Sequence, residues 1–292
     1  MKKTILSVLA AISIFCVDVS AQKKAATTSV PTAKDYEDFG ETRTLVVMDD
    51  NIMSDYSLKI EQVMKNEWNL TKFDVITRKE FESKRVDPSY SFLLTTTVTY
   101  EKDKTKARYT YLSLLMGKEK TKVNTMPDLI SIPLAYASVE DQNYVYKMSA
   151  FVRFIQRHVN MVTADPKLLK KIGENPLLYY NKNIKSLSNK TLYLVKEELE
   201  KSLQSESAVA AIYPYKFKFV TREEVAEAID KGEKDVVFLH KVGPEVAKYN
   251  TRCFKMVIGA DDSEVYYFDY HNIDKKTPDR LLQSDLKKMG KR

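Results

Sequence analysis

The sequence predicts an α/β (α+β) protein of two duplicated domains, each a mixed sheet with helices packed on it, joined by a central helix. Three observations carry this expectation. The run Val75-Ile76-Thr77-Arg78-Lys79-Glu80-Phe81 returns, altered, as Phe219-Val220-Thr221-Arg222-Glu223-Glu224-Val225. Around each copy, short β-branched runs alternate with stretches of helical spacing. Between the halves, Tyr144, Val145, Met148, Phe151, Val152, Ile155 and Val159 form one apolar stripe of helical period.

The repeated run has a local physical meaning. Thr followed three places later by Glu is a capping box: the hydroxyl takes a free amide of the first helical turn and the carboxylate reaches back to the cap. Each copy therefore predicts a strand running directly into a helix, with Arg78 or Arg222 in the first turn, reaching solvent or a nearby acid.

From the beginning of the chain, residues 1–21 read as an export signal. Lys2 and Lys3 are its positive start, Ile5 to Val17 its apolar run, and Val19-Ser20-Ala21 a small-residue cleavage site. The run is too short to span a bilayer, which takes roughly 20 apolar residues. Cleavage after Ala21 leaves Gln22 as the mature N-terminus. The competing reading, a lipoprotein acylated at Cys16, is disfavoured by Phe15 where a small residue is wanted. No other stretch is apolar enough for a transmembrane segment. The expected location is periplasmic or extracellular.

Residues 22–42 lack periodicity and are read as a flexible leader. The first repeat, 43–137, opens with the strand Thr44 to Met48. A helix then carries Tyr56, Ile60, Val63, Met64 and Trp68, and the strand Phe73 to Ile76 meets the first capping box. The capped helix ends near Arg85 to Pro88. Ser91 to Tyr100 and Arg108 to Met116 read as two long strands joined by the lysine-rich turn Glu101 to Lys106. Residues 138–190 supply the central helix, with Ser138 and Asp141 as candidate caps. A short helix from Asp165-Pro166 to Ile172 follows, and then a connection through Gly173 to Pro176 and Tyr180 to Lys190. The second repeat, 191–292, opens with Thr191 to Val195 as the counterpart of the first strand. Further parallels support the duplication: Gly117 to Val123 with Gly259 to Val265, and Met126-Pro127-Asp128 with Thr277-Pro278-Asp279, each ahead of an apolar helical pattern.

In order of elements, export signal and the apolar-Thr-Arg-x-Glu motif, the chain resembles the small α/β modules of Gram-negative envelope proteins, such as the TolB N-terminal domain and its CsgG- and LpoB-like relatives. The motif at Val75 to Phe81 and Phe219 to Val225 carries the resemblance. It implies a module that binds other envelope proteins rather than a catalyst.

Few residues point to chemistry. Hydrophobic residues are 43% and charged residues 30%, an ordinary globular balance, so the chain can build a core. With only 7 Gly and no G-x-G, neither a dinucleotide fingerprint nor a phosphate loop is present. After processing, Cys253 is the single cysteine, which excludes an internal disulfide and Cys-pair zinc sites; it reads as a buried strand thiol. His158 lies by the central apolar stripe and reads as structural. His240 ends a strand, and Asp269, His271 and Asp274 read as an exposed strand end rather than a metal site. No nucleophile elbow, S-x-x-K or local Cys–His pair occurs. No catalytic residue, metal ligand or cofactor is assigned, and the binding residues stay unknown. The 18 Tyr suit strands and half-exposed faces.

Charge adds one constraint. The chain carries +7, and losing Lys2, Lys3 and Asp18 with the signal leaves +6. Such a surface attracts anionic glycans or lipid headgroups; nucleic acid is not expected for an exported chain without a binding motif. The expected function is a non-enzymatic envelope protein that docks a protein partner or builds an assembly, through the groove between halves or a free sheet edge. The alternatives are a glycan-acting hydrolase with scattered carboxylates and a carrier of an anionic small ligand.

Overall fold

The computed structural model describes residues 23–24, 29–100, 105–119, 122–173, 175–245 and 248–291. The export signal, its cleavage site and Cys16 lie outside the described residues, as does most of the turn Glu101 to Lys106.

After the two-residue strand β1 (Lys23–Lys24) and helix α1 (Ala33–Phe39), the first half runs β2 (Arg43–Val47), α2 (Asp55–Glu67), β3 (Phe73–Ile76), α3 (Arg78–Lys84), β4 (Tyr90–Thr99), β5 (Arg108–Met116) and β6 (Asp128–Tyr136). Helix α4 (Met148–Ala164) follows. Two short helices, α5 (Leu169–Ile172) and α6 (Pro176–Tyr179), and a 3-10 segment, Tyr180–Asn189, lead to the second half. That half runs β7 (Thr191–Leu194), α7 (Glu206–Ala210), β8 (Phe217–Phe219), α8 (Arg222–Lys231), β9 (Val236–Val242), β10 (Arg252–Gly259), β11 (Val265–Asn272) and α9 (Gln283–Met289).

The halves share one topology. The sheets are ordered β3-β2-β4-β5-β6 and β8-β7-β9-β10-β11, the first three strands parallel and the last three antiparallel. β1 adds a parallel pair to the far end of β4 at Thr97 and Val98. Both capping boxes form: Thr77 and Thr221 each accept the amide three residues on, and Glu80 and Glu224 bond back to the cap. Helix α8 ends on Gly232 at φ 57°, a left-handed C-cap that glycine adopts without strain.

Four expectations are corrected. Within the leader, Ala33–Phe39 is a helix whose Tyr36 and Phe39 are buried. Its own capping box, Thr32 with Asp35, holds the start, and two aromatics four or fewer residues apart anchor one face. Asp141 does not cap the central helix; its carboxylate accepts the Tyr56 amide at the start of α2 and the Tyr144 hydroxyl. Asp128 opens strand β6 whereas Asp279 precedes α9, so the two Pro-Asp pairs are not equivalent.

The glycine match is also one residue out of step. Through the registers that align Phe73 with Phe217, Met116 occupies the place of Gly259. Each glycine answers its own crowding: a Cβ on Gly117 would meet the Asp87 carbonyl at 2.0 Å, and one on Gly259 the Asp262 carboxylate at 1.9 Å.

The equivalent sheets present opposite faces to their common core. Val46, Met48 and Leu93 face it from the first sheet, together with α1, α2 and α4; Tyr193, Val195 and Phe238 face it from the second, together with α8. On the outer sides, Phe81 of α3 packs on Leu45, Val47 and Phe92, while Leu203, Val209 and Leu286 pack on Leu192, Leu194 and Val237. The repeats thus stack face to back. Helix α4 joins them: its Arg153 bonds Glu67 of α2, Ser263, and the carbonyls of Ile229 and Ala260.

Candidate functional site

Where the two sheets approach away from α4, strand ends from both halves form an aromatic groove of about 230 Å³. Val98, Tyr100 and Tyr111 come from the β4–β5 hairpin, Ile130 and Ser131 from β6, and Arg252, Phe254, Phe268 and Tyr270 from β10 and β11. Pro176 and Leu177 close one side. Residues two apart on a strand share a face, which is how Phe254 and Arg252, or Phe268 and Tyr270, enter the same groove.

Phe254 is the floor. Its ring centre lies 5.2 Å from Tyr109, 5.7 Å from Tyr270, 6.1 Å from Tyr100 and 6.3 Å from Tyr111. These tilted and edge-to-face pairs match the aromatic quadrupole and hold the rings in place. The Tyr100 and Tyr111 hydroxyls bond at 2.6 Å. The Arg252 guanidinium lies 3.6 Å from the Tyr100 ring centre and 4.8 Å from that of Tyr270. Burial pushes the Tyr100 phenol up, and the hydrogen bond from Tyr111 and the Arg252 charge hold it back in part.

The repeated motif stands elsewhere, at the carboxyl ends of β3 and β8. Arg78 donates to the Thr95 carbonyl at 3.1 Å and pairs with Asp49 at 3.3 Å, and the Thr95 hydroxyl accepts from it as well. These residues line a polar cleft of about 170 Å³ together with Asp141 and Tyr144. Burial raises the Asp49 pKa, opposed by Arg78. Arg222 instead crosses to Asn143, ahead of α4, in a second cleft of about 190 Å³ lined also by Glu197, Glu198 and Lys241. The Thr221 turn further borders an open depression with Val195, Lys196 and Phe219. One arginine therefore closes onto its own sheet, and the other helps to join the halves.

The histidines occupy three different settings. His158 is fully buried between Tyr36 and Tyr180, with Nε2 2.9 Å from one hydroxyl and Nδ1 2.7 Å from the other. The Tyr36 hydroxyl donates to the Leu129 carbonyl, so Nε2 carries the proton and Nδ1 accepts from Tyr180. Burial lowers its pKa to about 4. His240 packs on Phe151, with Nε2 2.9 Å from the Pro133 carbonyl, and burial pushes its pKa well below the usual value. His271 is not an exposed strand end: it is half-buried, with Lys255 on Nδ1 at 2.8 Å and the Pro278 carbonyl on Nε2 at 2.8 Å. Asp269 pairs with Lys288, while Asp274 bonds the amides of Lys276 and Thr277. Cys253 is buried, and burial raises its thiol far above the ordinary range.

Among the described residues, no cluster of three or more His, Cys, Asp or Glu is placed to hold a metal, and no helix is long and apolar enough to cross a membrane. The groove residues escaped sequence reasoning because they come from four strands and a linker. The available signal was the alternation Tyr109-x-Tyr111, Arg252-x-Phe254 and Phe268-x-Tyr270. No family model, curated protein or solved structure matches the chain.

Proposed function

We propose that the protein is an exported component of a cell-envelope assembly that docks another protein in the groove between its halves and does so without catalysis. The composition of that groove supports the reading: aromatic rings and an arginine, the residue types that dominate binding energy at protein interfaces, converge there from both halves. Apolar surface reaches its rim, where Val30 is 59% and Tyr270 40% exposed.

Size separates docking from carriage. Pockets that enclose a small ligand run to roughly 300–1,000 Å³. A groove of about 230 Å³ accommodates a large side chain of a partner rather than a whole cargo molecule. The free-edge route is less favoured at β11, because Asn181 bonds both backbone groups of Phe268 at 2.9 and 2.7 Å and so covers that edge. A hydrolase is less favoured too: in the acidic cleft, Asp49 is engaged by Arg78 and Thr95, and Asp141 by the Tyr56 amide and Tyr144.

The test is affinity isolation of the chain from its native envelope, beside Tyr270→Glu and Val30→Glu variants. The recovered chain is expected to begin at Gln22, without lipid, and to bring down a partner that both variants lose while keeping their thermal midpoints. Retention of the same partner by both variants would overturn the assignment of the groove.

A further inference from the structure

We infer that the segment docked in the groove presents a carboxylate side chain next to a large apolar one, with Arg252 anchoring the carboxylate and the Phe254 floor receiving the apolar group. This rests on the docking reading above. Arg252 is stacked by ring faces on two sides, from Tyr100 and Tyr270. Stacking holds the guanidinium plane in position through the faces of the rings, and of its five N–H groups the Tyr100 hydroxyl engages only a part, which leaves others for a second partner.

The charge of Arg252 is placed by the two rings. Among the described residues, no carboxylate pairs with it. Enclosed cations nearby in the same half are treated differently: Lys241 has Asp279 at 2.9 Å and Lys255 has Asp285 at 3.0 Å. A preorganised guanidinium that no described carboxylate pairs, set beside an apolar floor, matches a carboxylate, which accepts two parallel N–H bonds from it.

The surroundings reinforce this polarity. Lys248 donates to the Tyr136 hydroxyl at 2.7 Å, and the Tyr136 ring packs edge-on against Tyr109, whose hydroxyl bonds the Arg252 backbone. A second cation therefore stands on the Arg252 side. A docked carboxylate is drawn to the Arg252 side, which sets its orientation.

A displayed library of random twelve-residue peptides, selected on the full chain, tests the assignment. On the wild type, selected sequences are expected to be enriched in Asp or Glu adjacent to Phe, Leu or Trp. Binding of the best peptide should fall about tenfold or more when its acid is changed to the amide, the scale of a hydrogen bond to a charged group. It should fall similarly on Arg252→Gln, less on Arg252→Lys, and weaken with salt. The amide peptide is read on the unaltered protein, so the outcome stands even if Arg252→Gln folds poorly. Peptides that bind, compete with each other and are lost on Tyr270→Glu, yet show no acid preference, would overturn the carboxylate assignment and leave docking intact. Selection of no peptide, or only of peptides indifferent to Tyr270→Glu, would overturn both.

Discussion

The Tyr109 hydroxyl of the first half bonds both backbone groups of Arg252 in the second, accepting its N–H at 2.6 Å and donating to its C=O at 3.1 Å. Strand β9 pairs with β10 only as far as Val242 opposite Phe254. Beyond that point one phenol takes the place of a neighbouring strand, so the residue that forms the groove's cation is fixed by a side chain of the other half.

Tyr109→Phe keeps the ring in the aromatic cluster and leaves two backbone groups of Arg252 without that partner. The expected loss is about 1–3 kcal/mol, the scale of unpaired buried polar groups. Chemical denaturation measures it. A loss below about 0.5 kcal/mol would mean that water replaces the hydroxyl without cost.

The two motif copies should respond alike at the threonine and differently at the arginine. Thr77→Ala and Thr221→Ala are each expected to lose about 0.5–2 kcal/mol, the usual worth of an N-cap. Arg78→Ala leaves Asp49 without its cation in a half-buried cleft and should cost about as much or more. Arg222→Ala releases Asn143 and should loosen the contact between halves, read as faster amide exchange ahead of α4. Partner binding well below the melting temperature should survive both threonine changes.

Acid should destabilise the fold before its carboxylates titrate. Folded His158 takes up a proton near pH 4, whereas the unfolded side chain does so near pH 6.5. Between those values the unfolded chain binds more protons, so the contribution is complete above about pH 6.5 and is lost as pH falls toward 4. The shift corresponds to about 3 kcal/mol at most, and His240 adds to it in the same direction. His158→Gln should lower the midpoint at pH 7 and flatten its fall between pH 6.5 and 4.5. Parallel profiles for variant and wild type would assign the acid sensitivity elsewhere.

Lys255 and Asp285 are each 1% exposed, and Asp285 also accepts the Tyr267 hydroxyl and the Leu282 amide at the start of α9. Asp285→Ala strands a buried cation and uncaps the helix. The expected cost is about 3–5 kcal/mol, typical of breaking a buried pair from one side, seen as a lower denaturation midpoint. A smaller loss would show that α9 opens enough to hydrate Lys255.

Much of the fold was legible locally. Capping boxes are three-residue signals and strands alternate faces with period two, so the motif at Thr77 and Thr221, the long hairpin and the strand that opens each half could be read from neighbours in the chain. Helix α1 was missed because its Thr32–Asp35 box lies in a stretch of leader-like composition, and its anchors Tyr36 and Phe39 are recognisable only against α4 and β6. The groove was not legible at all, since Tyr100, Phe254 and Tyr270 are brought together from distant strands.

By itself the sequence determined two copies of one unit, because each unit is specified by short-range caps, periods and turns. Tertiary structure alone decided that the copies stack face to back. Helix α8 turns Val225, Ala228 and Ile229 into the shared core, while at the matching places in α3 only Phe81 is buried and Lys84 and Arg85 keep their charged ends in reach of solvent. Which face of an amphipathic unit finds a neighbour depends on the apolar area offered by the other copy and by α4, and that is a property of the assembled chain rather than of any segment within it.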